Sequence, residues 1–251
     1  ILKTTALLLG SSVLLSGCIK ETFPESGYAT SDQTAESPFA KEGLITAMPT
    51  VLITNYIDLG EHIDFGYPGI FGATDRMGRE GFPGSGNQYY DRWQAWLYPG
   101  NSTGLAANGK MSPFFYTNYY KFIFTANEAI DIANQSEGAE EMMGIAKTFR
   151  ALCYLDLARL YDALPAKAPE RPAYETELEA VKGLTVPIVR EDTSMEELEN
   201  NPRVSREEMF KFIFEDLNTA ETLLANYTPA TKNLPSLAVI YGLKARAYLW
   251  L

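Results

Sequence analysis

The most informative part of the sequence for the fold is residues 147–161, which read KTFRALCYLDLARLY. The C-terminal two thirds of this stretch carries charge only at Asp156 and Arg159, so apolar side chains occupy most faces of a helix built from it. Such a helix must be covered by neighbouring elements on most sides. Residues 140–161 are therefore predicted to form a helix inside a helical core, with Cys153 buried and unreactive within it.

Helical patterns continue on both sides of this stretch. Apolar residues recur at i+3 and i+4 spacing after Ser112-Pro113, after a capping box at residues 205–208 and after Pro235-Ser236. A further helix is predicted after Ser37-Pro38, with helical spacing as far as Leu59 and a kink at Pro49. The last pattern still runs at Leu251, so we expect a C-terminal part of the fold to be missing.

The four long helices form two pairs that resemble each other. The tetrapeptide KFIF at residues 121–124 recurs at residues 211–214, and Arg150 with Leu155 recurs as Arg246 with Leu251. Repeated helix pairs of this kind predict stacked hairpins of tetratricopeptide type. The alternative is chance similarity between helices of like composition.

Two segments between the helices lack periodicity. Residues 60–109 hold many glycines, and residues 163–203 hold five prolines. A short helix is predicted near residues 89–97. Irregular segments of this length inside a compact domain are uncommon and usually functional. The predicted fold class is mostly α, with tetratricopeptide-like hairpins and long inserted loops.

The first residues have the pattern of a bacterial lipoprotein signal. Lys3 precedes a short apolar run that is too short to span a bilayer, and the run ends in Leu-Ser-Gly-Cys at Cys18. We predict a signal peptide over residues 1–17, lipidation of Cys18 and a polar tether over residues 18–36. A helical region over residues 37–251 follows. The alternative is an ordinary secretory signal with a chance cysteine.

Composition excludes several classes of protein. The chain has 251 residues and a formal net charge of −11, so it offers no basic surface for nucleic acid. One His and two Cys do not make a usual structural zinc site. Paired carboxylates such as Glu140-Glu141 and Glu191-Asp192 are adjacent in sequence and are expected to be solvated rather than catalytic. No catalytic motif and no cofactor site are predicted.

Five motifs, in order and behind the lipoprotein signal, resemble a known family. They are FTANEAID at 124–131, KTFRALCYLDLARLY at 147–161, VPIV at 186–189, NPRVS at 201–205 and LKARAYL at 243–249. The set is similar to the N-terminal portion of the SusD/RagB family of Bacteroidota outer-membrane lipoproteins. The resemblance implies a non-catalytic protein at the cell surface that binds glycans, or in some members peptides. It also implies a SusC-like TonB-dependent transporter as partner.

The candidate ligand site lies in the glycine-rich region. Residues 89–124 contain 12 of the 31 aromatic residues, where even spreading would give about four or five. Sugar rings stack on Trp and Tyr faces, and sugar hydroxyls bond to amides, carboxylates and guanidinium groups. The candidates are Tyr89, Trp93, Trp96, Tyr98, Asp75, Arg76 and Asn101.

Two alternatives remain at the level of sequence. Trp93 and Trp96, three residues apart, fit a helix packed onto the hairpins equally well. Tyr116, Tyr119, Phe122 and Phe124 lie on a predicted helix and are expected to be core. For the whole protein, the alternatives are a helical-repeat scaffold that binds proteins or peptides and a lipid-anchored hydrolase. The long aromatic segment favours a glycan-binding protein over a scaffold with short connections.

Overall fold

The structure is a computed structural model that describes residues 36–53, 66–77, 109, 111–162 and 179–251. These residues form seven helices: α1 Pro38–Ile53, α2 Tyr67–Met77, α3 Met111–Asn134, α4 Glu140–Tyr161, α5 Met195–Glu199, α6 Arg206–Leu223 and α7 Leu237–Trp250. An isolated antiparallel bridge joins Leu184 to Ser205. The prediction of a mostly helical chain is confirmed.

Local signals in the sequence explain where the long helices begin and end. Gly138 adopts a φ of 69°, a left-handed conformation that favours glycine, and it separates α3 from α4. Ser205 caps α6, because its side chain accepts a hydrogen bond from the Glu208 backbone N–H. A full reciprocal capping box occurs at α5, between Ser194 and Glu197. The ends of α4 and the start of α6 lie within one or two residues of those that the sequence predicts. Helix α5 corrects a prediction, because it lies within residues 163–203, which the sequence predicts to be irregular.

Helix α4 is the centre of the core. It packs against α3 on one side and α6 on the other, and Cys153, Tyr154 and Leu157 along it are almost fully buried. Coverage by neighbouring helices therefore explains the apolar pattern of residues 147–161, as predicted. Burial raises the pKa of the Cys153 thiol well above its ordinary value, which keeps it protonated.

The two repeated tetrapeptides occupy matching environments. Phe122 and Ile123 on α3 are buried, and so are Phe212 and Ile213 on α6. Helices α3 and α4 form one hairpin, and α6 and α7 form the second, as the repeat predicts. Phe124 is the exception to the predicted core, since it is 64% exposed. It lies one residue beyond the buried pair and points away from the hairpin interface.

A buried charged cluster joins the two hairpins. Arg150 on α4 donates to both carboxylate oxygens of Asp216 on α6, at 2.7 and 2.9 Å. It also donates to Asn127 on α3 at 2.8 Å and to Glu191 at 2.5 Å. Lys147 adds a second cation 3.0 Å from Asp216. Glu191 was predicted to be solvated, and that prediction is wrong, because the buried Arg150 requires it as a counter-ion.

An extended segment crosses the first hairpin at residues 187–189 and is held through its main chain. Tyr120 donates to the carbonyl of Pro187 at 2.5 Å, and Asn127 donates to the carbonyl of Val189 at 3.0 Å. The Tyr154 hydroxyl accepts from the Val189 N–H at 2.7 Å. Side chains of α3 and α4 thus satisfy backbone groups that would otherwise need a neighbouring strand.

Helix α2 corrects a second prediction. Residues 60–109 were expected to be irregular apart from a short helix near 89–97, but residues 67–77 are helical. Pro68 lies in the first turn, where proline is tolerated, and Ile70 and Ala73 are buried three residues apart. Tertiary burial therefore outweighs the unfavourable glycines of this helix. Residues 89–97 lie outside the described residues.

Candidate functional site

A cleft of about 630 Å³ opens between α2, α3 and the C-terminal halves of α4 and α7. We call it the α2–α7 cleft. Its floor contains Ile70, Tyr119 and Asp156, and its two walls are α2 on one side and α4 with α7 on the other. Its volume is in the range of small-molecule binding sites.

The floor is a hydrogen-bonded network centred on Asp156. One carboxylate oxygen accepts from the Tyr67 hydroxyl at 2.9 Å and from the Tyr119 hydroxyl at 3.2 Å. The other accepts from Arg246 at 2.6 Å. Burial, followed by the nearby charge of Asp156, raises the pKa of both tyrosines, so both hydroxyls stay protonated as donors. The network rigidly fixes Asp156 as an acceptor.

The wall formed by α4 and α7 presents two guanidinium groups, Arg159 on α4 and Arg246 on α7, which we call the arginine wall. Arg206, the first residue of α6, is not among the residues that line the cleft. Arg159 and Arg206 each lie 5.9 Å from the centre of the Trp250 ring, within the range of cation–π attraction. The Trp250 indole N–H donates to Asp162 at 3.2 Å. This bond fixes the indole at the end of α7, where it closes one side of the cleft.

The Asp162 carboxylate behind this wall is poorly solvated. Burial raises its pKa, and the hydrogen bond from Trp250 and the charge of Arg206 lower it only in part, so the pKa stays above its ordinary value. One oxygen of Asp162 and the Nε of Arg206 are buried without a hydrogen-bond partner. The Nε of Arg206 lies 3.8 Å from the other Asp162 oxygen, so the two side chains form a loose ion pair.

The α2 wall is more apolar. Phe71 is 49% exposed, and its ring is fixed by an edge contact with Tyr67 at 4.8 Å between centroids. Met77 is also exposed at the end of the helix. Asp75 lines the cleft with an exposed carboxylate. An aromatic face beside an acceptor and facing guanidinium donors is a combination that suits a saccharide.

The structure places the predicted site residues as follows. Asp75 lines the cleft. Arg76 follows it on α2, although its side chain is outside the described part of the chain. The other candidates lie outside the described residues: Tyr89, Trp93, Trp96, Tyr98, Asn101 and the lipidation residue Cys18.

Sequence reasoning missed Phe71, Arg246 and Trp250, which line the cleft, and Asp156 on its floor. Asp156 carried a usable signal, because it is one of two charges in the apolar stretch of residues 151–160. A charge at such a position needs a partner. Arg246 is that partner, and it is 90 residues away in sequence.

Two further features of the described residues bear on the kind of site. Within them, no group of three or more His, Cys, Asp or Glu side chains is arranged to hold a metal ion. None of the helices over these ranges has the length and apolar character that crossing a membrane requires.

Comparison with known proteins places the chain in a family of helical proteins that associate with the outer membrane. A sequence profile described as "Starch-binding associating with outer membrane", of SusD-like type, matches residues 85–249. This is about two thirds of the chain. The chain belongs to the SusD-like family, and the resemblance of its motifs is confirmed.

Solved structures of low sequence identity share the fold. A SusD-like carbohydrate binding protein from Bacteroides vulgatus matches with a TM-score of 0.63 at 20% identity, over 84% of this chain and 40% of its own. A SusD-like protein from Bacteroides fragilis matches with a TM-score of 0.57 at 17% identity, over 87% of this chain and 36% of its own. This chain therefore spans well under half the length of these neighbours. No curated protein sequence matches it.

Proposed function

We propose that this chain belongs to a non-catalytic, lipid-anchored outer-membrane protein that binds glycans and delivers them to a TonB-dependent transporter. The observation that carries the proposal is the SusD-like match over residues 85–249. The α2–α7 cleft, with Phe71, Asp75 and the arginine wall around it, supports a saccharide as ligand.

The chemistry of the cleft supports binding rather than hydrolysis. Glycosidases use two carboxyl groups that face one sugar, one as acid and one as base or nucleophile. Asp156 accepts hydrogen bonds from two tyrosines and an arginine, so both of its oxygens are already engaged as acceptors. Asp75 is then the single available carboxylate among the described residues that line the cleft.

Glycan binding by the full gene product tests the proposal. Titration calorimetry against a panel of oligosaccharides should give a binding isotherm. The substitution Phe71→Ala should weaken it about tenfold, by analogy with the loss of a stacked base from an aromatic platform. Phe39→Ala is the matched control, since Phe39 is 86% exposed on α1 and lies outside the cleft. Equal affinities for the two variants would contradict binding at this cleft.

The aromatic residues of the glycine-rich segment remain predicted ligand contacts. Alanine at Trp93, Trp96 or Tyr98 should lower affinity with little change in melting temperature if the ring stacks on a sugar. A buried Trp replaced by alanine would instead cost about 3–5 kcal/mol of stability. The same two measurements apply to Tyr89, Asn101 and Arg76.

The proposed anchor is Cys18, after a signal peptide over residues 1–17. Cys18→Ala should release the protein from outer-membrane fractions, because the acyl chains supply the binding energy. Cys153→Ala is the matched control, since that thiol is buried in α4 and cannot be acylated. If Cys18→Ala resists a carbonate wash as the control does, the anchor is wrong.

The proposed partner is a SusC-like transporter. A tether of 18 residues between Ile19 and Glu36 would span roughly 5–6 Å × √18 as a flexible coil. This length keeps the helical region over residues 37–251 at high effective concentration above a barrel at the membrane surface. Mild-detergent purification through a tag on the full gene product should recover a large β-barrel protein. Recovery of the lipoprotein alone, while other outer-membrane complexes survive, would favour the scaffold alternative.

A further inference from the structure

On the arginine wall of the α2–α7 cleft, the cations are more exposed than their counter-ion. The side chain of Arg159 is 48% exposed, and that of Arg246 is 37% exposed. Their shared counter-ion is buried, since the side chain of Asp156 is 9% exposed. A ligand that enters the cleft on this side therefore meets guanidinium groups before it meets carboxylates.

The arginine wall is also not neutralised. Its two guanidinium groups share one carboxylate, Asp156, as their ion-pair partner among the described residues. Arg159 lies 3.6 Å from Asp156, beyond ordinary hydrogen-bond distance, so the N–H donors of Arg159 are available. This wall thus carries one more cation than anion, and the other carboxylate that lines the cleft, Asp75, lies across from it on α2.

We infer that the α2–α7 cleft recognises an acidic sugar, with a uronate carboxylate bound by Arg159 and Arg246. This inference rests on the proposed glycan-binding function and names the class of glycan. Guanidinium groups bind carboxylates through paired, charge-assisted hydrogen bonds, which are stronger than bonds to neutral hydroxyls. A neutral glucan would offer the available donors of Arg159 hydroxyl acceptors alone.

The opposite wall fits the rest of such a sugar. Phe71 offers an exposed ring for the C–H face of a pyranose. Asp75 offers an exposed carboxylate that can accept hydrogen bonds from sugar hydroxyls. A uronate unit thus has an acceptor for its hydroxyls on α2 and donors for its carboxylate on α4 and α7.

A matched pair of ligands tests the inference on the full gene product. Oligosaccharides of galacturonate, glucuronate and mannuronate are titrated beside the same oligosaccharides with their carboxyl groups methyl-esterified, and beside malto-oligosaccharides. We expect at least one uronate series to bind about tenfold more tightly than its ester, as a charge-assisted bond predicts. Its affinity should fall as salt is raised.

Variants of Arg159 test whether this residue causes the preference for the uronate over its ester. Arg159→Gln should remove most of the difference between uronate and ester, and Arg159→Lys should retain part of it, because lysine keeps the charge but not the planar fork. Lys232→Gln removes the same charge at an exposed site outside the cleft and should change nothing. Thermal unfolding of each variant confirms that the fold is intact.

The outcomes separate the two levels of the proposal. Equal binding of uronates and esters, or binding of malto-oligosaccharides alone, would overturn the acidic-sugar inference and leave glycan binding in place. Loss of the preference in Lys232→Gln as well would overturn the assignment to Arg159. Binding of none of the oligosaccharides would overturn the proposed function itself.

Discussion

Helices α4 and α7 hold corresponding places in two successive hairpins, but they are covered to different extents. Helix α4 lies between α3 and α6. On α7 the buried residues Ile240, Leu243 and Ala247 form a single line, while Tyr248 and Leu249 are 68% and 88% exposed. The same helical pattern is thus a core element in one hairpin and a surface element in the other, within the part of the chain that the structure describes.

The corresponding arginines show what this difference does. Arg150 on α4 is 1% exposed and has three polar partners, Asp216, Asn127 and Glu191, on both sides of its helix. Arg246 on α7 is 37% exposed and, among the described residues, bonds to Asp156 alone, so donors remain for a ligand. Coverage by a following helix, rather than residue type, separates a structural arginine from one available for binding.

The largest expected effect comes from replacing these two arginines in turn. Arg150→Met should lower the free energy of unfolding by about 3–5 kcal/mol, because it leaves Asp216 buried without its main partner. Arg246→Met should cost about 1–2 kcal/mol, since Asp156 keeps two tyrosine donors. Urea unfolding followed by circular dichroism measures both. Equal losses would show that α7 is as deeply covered as α4.

A smaller contrast is expected at the helical glycines. A Cβ on Gly144 of α4 would lie 2.7 Å from Leu224 Cγ, whereas a Cβ on Gly242 of α7 meets nothing within 4 Å. Gly144→Ala should therefore cost about 1–2 kcal/mol through overpacking, even after the gain in helix propensity. Gly242→Ala should stabilise the protein by about 0.5–1 kcal/mol. Destabilisation by both would indicate that another element packs on α7 at Gly242.

The smallest expected effect is on the stability of the protein at low pH. Burial alone would raise the pKa of Glu191, but the charge of Arg150 outweighs it, and the pKa lies below its ordinary value. A lowered folded pKa gives stability above the unfolded value of about 4.3, and that stability is lost as the pH falls. Asp162 near α7 behaves oppositely, since its raised pKa means that protonation relieves a cost of burial.

Melting temperatures at about pH 6 and about pH 3.5 check these signs. Glu191→Gln should reduce the fall in melting temperature between these two pH values by about 2–4 °C, the shift expected for roughly 1 kcal/mol in a chain of this size. Asp162→Asn should make this fall in melting temperature larger. Glu199→Gln, at an exposed position at the end of α5, is the control and should follow the wild type. A reduced loss in Asp162→Asn would contradict the assigned direction.

The sequence predicts those parts of the fold whose signals are local. Apolar spacing predicts helices α3, α4, α6 and α7, together with residues that end or cap a helix, such as Gly138 and Ser205. Helix α2 was missed because its glycines and Pro68 oppose helix formation, and burial of Ile70 against the core decides the outcome. That burial is a tertiary contact, which spacing within eleven residues does not reveal.

The candidate site was predictable only in part, for a similar reason. Asp75 is a candidate ligand-binding residue at the level of sequence, because polar residues near an aromatic segment suggest sugar binding. Asp156 and Arg246 are 90 residues apart in sequence, and each shows its role only as the partner of the other, once the two hairpins bring them together. Trp250 lies near an arginine of α6, Arg206, which is also distant in sequence. Local patterns do not encode such pairs.

The segment at residues 187–189 has a consequence for how the sequence can vary. Tyr120, Asn127 and Tyr154 bind its carbonyl and N–H groups, which every residue type except proline presents alike. Most of the hold on the segment is thus independent of its own side chains, although Ile188 also packs against the core. The register, by contrast, is fixed, because an insertion of one residue would move every carbonyl away from its donor. This connection should tolerate substitution and resist changes in length, the reverse of what surface loops usually accept.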